Sequence, residues 1–253
     1  MKCLILAAGY ATRLYPLTEN FPKPLLQVRD KAILDWLIED IGDCVDRFIV
    51  ISNHKFAHRF REWSQSRERI TVLDDGTESN ADRLGAVRDA QFAIEELGLD
   101  DDLLVIAGDN LLDFSLRSFI DYFRKKRTTC IMRYWEESTA KLRRTGVAVV
   151  DERDRILDME EKPTEPKSHW CTPPLYIYKA ADVPLVKKGI ESGCGVDAPG
   201  SFIAWLCKQT VVHAYEMPGR RYDIGSLESY AAVRETYGGI GRTYAEDREE
   251  NRR

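Results

Sequence analysis

A run of small residues with two cations close behind it opens the chain. Residues 3–7 are apolar and read as a buried parallel strand, which breaks into Ala8-Gly9 with Ala11-Thr12 following. Small residues let backbone N–H groups approach an anion, so Leu6, Ala7, Ala8 and Gly9 form a candidate phosphate cradle at the strand's end. Arg13 adds a planar fork for phosphate oxygens and Lys23 a point charge. Pro22 and Pro24 bracket Lys23 and keep a helix from running through it. Each feature alone is an ordinary loop; their fixed spacing points to a polyphosphate. Further along, the strongest interior strand pattern, 103–107, ends in Gly108-Asp109-Asn110. An Asp there sits where open α/β sheets bind ligands. Mg²⁺ takes one or two carboxylates with phosphate oxygens and water, and Asp109 suits one of them. Gly-Asp-Asn is equally the composition of a plain turn.

The patterns between these residues alternate strand and helix, the mark of a parallel sheet with helices on both faces. Ile33, Leu34, Leu37, Ile38 and Ile41 recur at helical spacing. A strand over 48–52, a helix over 56–65, a strand over 70–73 and a helix over 82–97 follow. Ser115 caps a helix running to 125, and 129–134 is the next strand. From about residue 134 the rhythm changes, with strands at 146–150, 155–159 and 174–178 and few helices between. Helices return at 180–191 and 200–207, then a strand at 211–215 and a last helix at 226–236. The expected fold is a Rossmann-like three-layer α/β/α domain over 1–237 with a mostly parallel mixed central sheet. Its two parts are 1–134 and 135–237, and 238–253 reads as a charged tail.

Composition narrows the class. With 253 residues, 43% of them hydrophobic, the chain can bury one sizeable core. A net charge of −5 argues against a general nucleic-acid binder, so an anionic substrate must be met by local cations. The six cysteines show neither a Cys-x-x-Cys pair nor zinc spacing, and the four histidines form no metal pattern. Free thiols in apolar runs fit a reducing cytoplasm. Residues 1–8 are too short, and too soon followed by Arg13, for a signal peptide, and no stretch approaches a membrane span.

The segment from Leu6-Ala7-Ala8-Gly9 through Thr12-Arg13-Leu14, Pro16-Leu17-Thr18 and Pro22-Lys23-Pro24 resembles the N-terminal motif of the sugar-1-phosphate nucleotidyltransferases, of the glucose-1-phosphate thymidylyltransferase and mannose-1-phosphate guanylyltransferase type. Ala11 stands where that pattern has its second loop glycine. Glu160-Glu161-Lys162-Pro163 through Pro166-Lys167-Ser168, Gly108-Asp109-Asn110 and Asp223-Ile224-Gly225-Ser226 match further family segments. The resemblance implies the nucleotide-diphospho-sugar transferase fold, with 1–134 binding nucleotide and 135–237 binding sugar. It implies condensation of a nucleoside triphosphate with a sugar 1-phosphate, with Mg²⁺ on Asp109 and Asp223. Arg13, Lys23 and Lys162 become the catalytic cations, Lys162 holding the sugar phosphate. Asn80 and the Gly85 backbone become candidates for reading the base, with Asn80 or Asp82 as a helix cap the alternative. Gly146, Glu161 and Thr172 fall on the sugar side; Gly146 is alternatively a strand-initiating glycine, and Asp223 a turn residue. Pro174 stands where the family carries Gly. A cytidylyltransferase of phosphocholine or another small phosphorylated alcohol or phosphonate, and a non-catalytic nucleotide-sugar-binding regulator, are the rival readings. Neither nucleic acid nor membrane is an expected partner; relatives form dimers or tetramers, and self-association is left open.

Overall fold

The computed structural model describes residues 1–241, so the expected tail lies outside the described residues from position 242 on. The strands are β1 (Lys2–Leu6), β2 (Gln27–Val28), β3 (Lys31–Ala32), β4 (Arg47–Ser52), β5 (Ile70–Asp74), β6 (Leu103–Ala107), β7 (Leu111–Leu112), β8 (Thr129–Trp135), β9 (Gly146–Val150), β10 (Ile156–Glu161), β11 (Trp170–Thr172), β12 (Leu175–Tyr178), β13 (Val212–Glu216) and β14 (Arg221–Tyr222). The helices are α1 (Ile33–Ile41), α2 (His54–Ser64), α3 (Ala86–Leu97), α4 (Arg117–Lys126), α5 (Thr139–Leu142), α6 (Leu185–Glu191), α7 (Gly200–Leu206) and α8 (Leu227–Thr236).

A ten-stranded sheet runs in the order β10-β9-β11-β8-β12-β6-β1-β4-β5, with β13 also paired to β8. β1 pairs in parallel with β4 and β6, and β4 with β5. The antiparallel pairings of this sheet all involve strands after residue 135: β12 enters between β6 and β8, and β11, β9 and β10 extend the sheet. Strand side chains alternate between faces, and the two cores show it. Cys3 and Ile5 pack with residues of α1, α2 and α4 on one face. Leu4 packs with residues of α3, α6 and α7 on the other. This is the expected three-layer α/β/α arrangement. No helix among the described residues is long and apolar enough to cross a membrane.

A third core holds the site loops together. Leu14, Leu26, Leu111 and Ile224 meet Tyr230, Val233 and Tyr237 of the α8 region. Tyr230 donates its hydroxyl to the Gln27 carbonyl and Tyr237 to the Leu112 carbonyl, both at 2.7 Å. Segments from both ends of the chain are thereby fixed around the end of β6.

Several element boundaries differ from expectation. The helix expected at 82–97 begins at Ala86, because Gly85 has φ +91°, outside helical space. Asp82 accepts from the N–H groups of Glu78 and Ser79, residues before it, so it closes a loop and does not cap the helix. The helix expected at 180–191 is a 3₁₀ turn (Ala180–Asp182) and then α6, with Pro184, which lacks an N–H, between them. Strand β11 was not foreseen; it is three residues long and ends against Pro173-Pro174.

Candidate active site

The cradle at the end of β1 is built from both sides. Asn53 caps α2 by accepting from Phe56 N–H at 3.0 Å and donates its amide to the Ala8 carbonyl at 2.9 Å. Tyr10 donates its hydroxyl to the Thr77 carbonyl at 3.0 Å, tying this loop to the 77–85 loop. Ala11 adopts a left-handed conformation, φ +47°, where the family pattern has glycine; a Cβ there carries a penalty of roughly 1 kcal/mol. Arg13 follows in a short 3₁₀ turn and is exposed to the cleft.

Lys23 starts the 3₁₀ turn Lys23–Leu25, with its side chain only 10% exposed. Its Nζ lies 2.5 Å from Asp109 Oδ2. Burial pushes the Asp109 carboxyl up, but the charge and hydrogen bond of Lys23, with help from Arg221, outweigh it and hold the group below the usual carboxylate range.

The residues expected on the sugar side form one row across three strands. Gly146 of β9 stands opposite Glu161 of β10 on one side and Thr172 of β11 on the other. A Cβ on Gly146 would sit 2.9 Å from Met159 Cε and 3.0 Å from Glu161 Oε1, and would overlap Thr172 Oγ1. Burial raises the Glu161 carboxyl pKa, with Lys162 acting against the rise. Thr172 is buried, and its Oγ1 has no hydrogen-bond partner among the described residues.

Leu6, Ala7, Ala8, Gly9, Arg13, Lys23, Gly85, Asp109, Gly146, Glu161 and Thr172 all line one cleft of about 450 Å³, a size suited to a small ligand. Asn80, Lys162 and Asp223 do not line it. Asn80 is exposed and accepts from Arg83, which does line the cleft. Lys162 is exposed at φ +50°, its N–H bonded to the Thr145 carbonyl. It follows the last residue of β10 in a left-handed conformation, which takes it off the line of the strand while its charge still acts on Glu161. Asp223 is exposed, yet its carboxylate lies 3.5 Å from where a Cβ on cleft-lining Gly225 would sit.

Sequence reasoning missed Asp89, Arg144 and Arg221, all on the wall. Asp89 is 6% exposed, its Oδ1 has no hydrogen-bond partner among the described residues, and burial first, then Asp75, pushes its carboxyl up to about 7. Its signal was an acid sharing a helix stripe with Ala86 and Ala93.

A family model described as nucleotidyl transferase matches residues 2–238. A bifunctional protein GlmU of Methanocaldococcus jannaschii is 29% identical over 225 residues, covering 89% of this chain and 51% of that protein. A UTP–glucose-1-phosphate uridylyltransferase of Synechocystis sp. is 25% identical over 241 residues, covering 91% and 61%. The chain thus spans about half to three-fifths of the length of these curated relatives. A solved structure of UDP-glucose pyrophosphorylase complexed with UDP-glucose shares the fold, with TM-score 0.77 and 20% identity, covering 93% of this chain and 97% of that one.

Proposed function

The chain belongs to the nucleotidyl transferase family, and we propose that it condenses a nucleoside triphosphate with a sugar 1-phosphate, giving a nucleoside diphosphate sugar and pyrophosphate. The observation that carries this reading is that the Lys23–Asp109 pair and the Glu161–Gly146–Thr172 row line the same cleft.

In this reading an oxygen of the sugar phosphate attacks the α-phosphorus. The bond between that phosphorus and its bridging oxygen breaks, and pyrophosphate leaves with the electron pair. No side-chain nucleophile takes part; the protein positions the two phosphates and offsets their charge. Arg13 faces the β- and γ-phosphates. Lys23 exchanges Asp109 for the α-phosphate. Glu161 and Thr172 offer oxygens to sugar hydroxyls, and Gly146, lacking a Cβ, lets both side chains sit close against it. Asp109 and Asp223 are hard oxygen donors of the kind Mg²⁺ takes beside phosphate and water, and the lowered Asp109 carboxyl is ionised at neutral pH. When bound, that ion supplies charge neutralisation on the triphosphate.

Pyrophosphate release, measured with Mg²⁺ over the five common triphosphates crossed with sugar 1-phosphates, tests the proposal. Release that requires both a triphosphate and a sugar 1-phosphate is expected. Release with no acceptor present, or none with any pair, would overturn it.

A further inference from the structure

Three guanidiniums line the cleft without a carboxylate in ion-pair distance among the described residues: Arg13, Arg144 and Arg221. Arg13 belongs to the nucleotide loop. The other two border the sugar side. Arg144 precedes Thr145 and Gly146, so it stands at the head of the row that Gly146 makes with Glu161 and Thr172. Arg221 is fixed by strand pairing: β14 lies antiparallel to β7, with Arg221 opposite Leu112 and Tyr222 opposite Leu111. β7 starts two residues after Asp109, so this pairing holds Arg221 beside the end of β6. The half-buried guanidinium is felt electrostatically by Asp109 on one side and by Tyr134 and Tyr176 on the other. Tyr176 in turn feels Glu161. Arg221 therefore stands between the nucleotide half of the cleft and the sugar row.

We infer that Arg221, with Arg144, forms a second anion subsite that holds the phosphate of the acceptor, and that Arg221 is a catalytic residue. This rests on the nucleotidyl transfer reading above and gives to these arginines the part that the sequence assigned to Lys162.

Charge supports the pairing. A phosphate monoester carries about −1.5 to −2 at neutral pH, so one guanidinium leaves it undercompensated and two bring it near balance. Asp109 and Glu161 flank the same space and would repel an uncompensated phosphate. Position supports it too. For in-line attack the acceptor phosphate must lie between the sugar row and the α-phosphorus beside Lys23, which is where Arg221 sits. Lys162 is turned off the wall, and Arg83 is engaged by Asp197 at 2.7 Å. In the step itself Arg221 gives no proton. Its N–H groups hold two acceptor oxygens, leaving the third free to form the new P–O bond as the α–β bridge breaks.

The test uses the full chain with its triphosphate site filled by an α,β-methylene triphosphate analogue, and inorganic phosphate as the probe. Affinity for phosphate is measured calorimetrically for wild type, Arg221→Gln, Arg221→Lys, Arg144→Gln and Lys162→Gln, with thermal midpoints as the check on folding. Arg221→Gln is expected to weaken phosphate by about 10- to 100-fold, the range for losing a charge-assisted hydrogen bond, with analogue affinity unchanged. Arg221→Lys is expected to recover part of the loss, and Arg144→Gln to show a smaller one. Absence of phosphate binding by wild type, or a larger loss in Lys162→Gln than in Arg221→Gln, overturns the subsite. Turnover separates this from failure of the reading beneath it. If pyrophosphate is released and Arg221→Gln leaves the acceptor KM unchanged, the subsite falls and the transferase reading stands. If phosphate binds through Arg221 but no acceptor supports release, the subsite stands and that reading falls.

Discussion

Lys23 Nζ and Asp109 Oδ2 lie 2.5 Å apart although 86 residues separate them in the chain. The Lys23 side chain is nearly buried, while Asp109 remains 40% open to the cleft. Each group offsets the other's charge before any ligand arrives, and each is expected to change partner when one does. Lys23→Ala removes the cation meant for the α-phosphate, and its absence lets the Asp109 carboxyl pKa rise. Turnover is expected to fall by roughly 100-fold or more, as when a charge-stabilising donor is removed from an active site. Pyrophosphate release by a variant with a wild-type thermal midpoint checks this, and near-normal turnover would show that the pair has no part in the chemistry.

The pH dependence of stability should report Asp89. Burial and Asp75 push this carboxyl up to about 7 from its ordinary 3.8. Between about pH 4 and 7 the folded chain keeps a proton that the unfolded chain has lost, so this group's contribution to stability falls as pH rises through that window. At ~1.4 kcal/mol per pH unit the full effect above pH 7 is on the order of 4 kcal/mol. Asp89→Asn removes the titration. Its midpoint in denaturant should match wild type near pH 4 and exceed it at pH 8; a difference that does not change with pH would contradict the assignment.

Crowding around Gly146 predicts a selective defect. Its added Cβ meets Thr172 Oγ1, Met159 and Glu161, which are all side-chain atoms, so the fold can yield while the row is displaced. Gly146→Ala is expected to raise the KM for the acceptor at least about tenfold, with the KM for triphosphate little changed, since misplaced positioning groups are felt strongly in transfer reactions. Equal changes in both constants would argue against a division of the cleft at this row.

The half of the cleft proposed for the nucleotide was legible because its signals are local. Cradle, fork and proline-bracketed lysine fall within a short segment, and Asp109 follows an unbroken apolar strand. The residues proposed for the sugar came from a motif, but their alignment did not, since the pairing of β9 with both β10 and β11 is set by contacts distant in sequence. Lys162 was read beside Glu161 because the two are neighbours in the chain; Glu161 is on the cleft wall, whereas Lys162, at positive φ just past the end of β10, is not. Arg221 was visible within the Asp223 segment, yet a charged residue in a loop reads as solvated until its pairing with β7 is known. Leu84 sits in helical register with Val87, which carried the expected helix past Gly85, whose positive φ no sequence pattern announced.

Gly85 yields the sharpest backbone prediction. At φ +91° and ψ 151° it lies in a region that side chains rarely enter, with a cost of about 1–3 kcal/mol for a residue other than glycine. An added Cβ would stand 2.6 Å from the Val196 carbonyl oxygen and 3.0 Å from Asp197 Cα, both backbone atoms that no rotamer change can move. Those same residues accept the first N–H groups of α3: Ala86 N–H bonds to the Asp197 carbonyl at 3.2 Å and Val87 N–H to that of Val196 at 3.0 Å. Gly85→Ala must therefore push the 196–197 segment away from the helix start and leave those donors unpaired, adding to the conformational penalty. The exposed Arg83–Asp197 pair at the same place is worth ~1 kcal/mol or less. Urea midpoints should thus order wild type and Arg83→Gln close together and Gly85→Ala well below both. Because Gly85 and Asp197 both line the cleft, Gly85→Ala should also weaken triphosphate and acceptor together. A Gly85→Ala chain with the stability of Arg83→Gln would mean that this backbone junction is not what holds the 77–85 loop against the 196–197 segment.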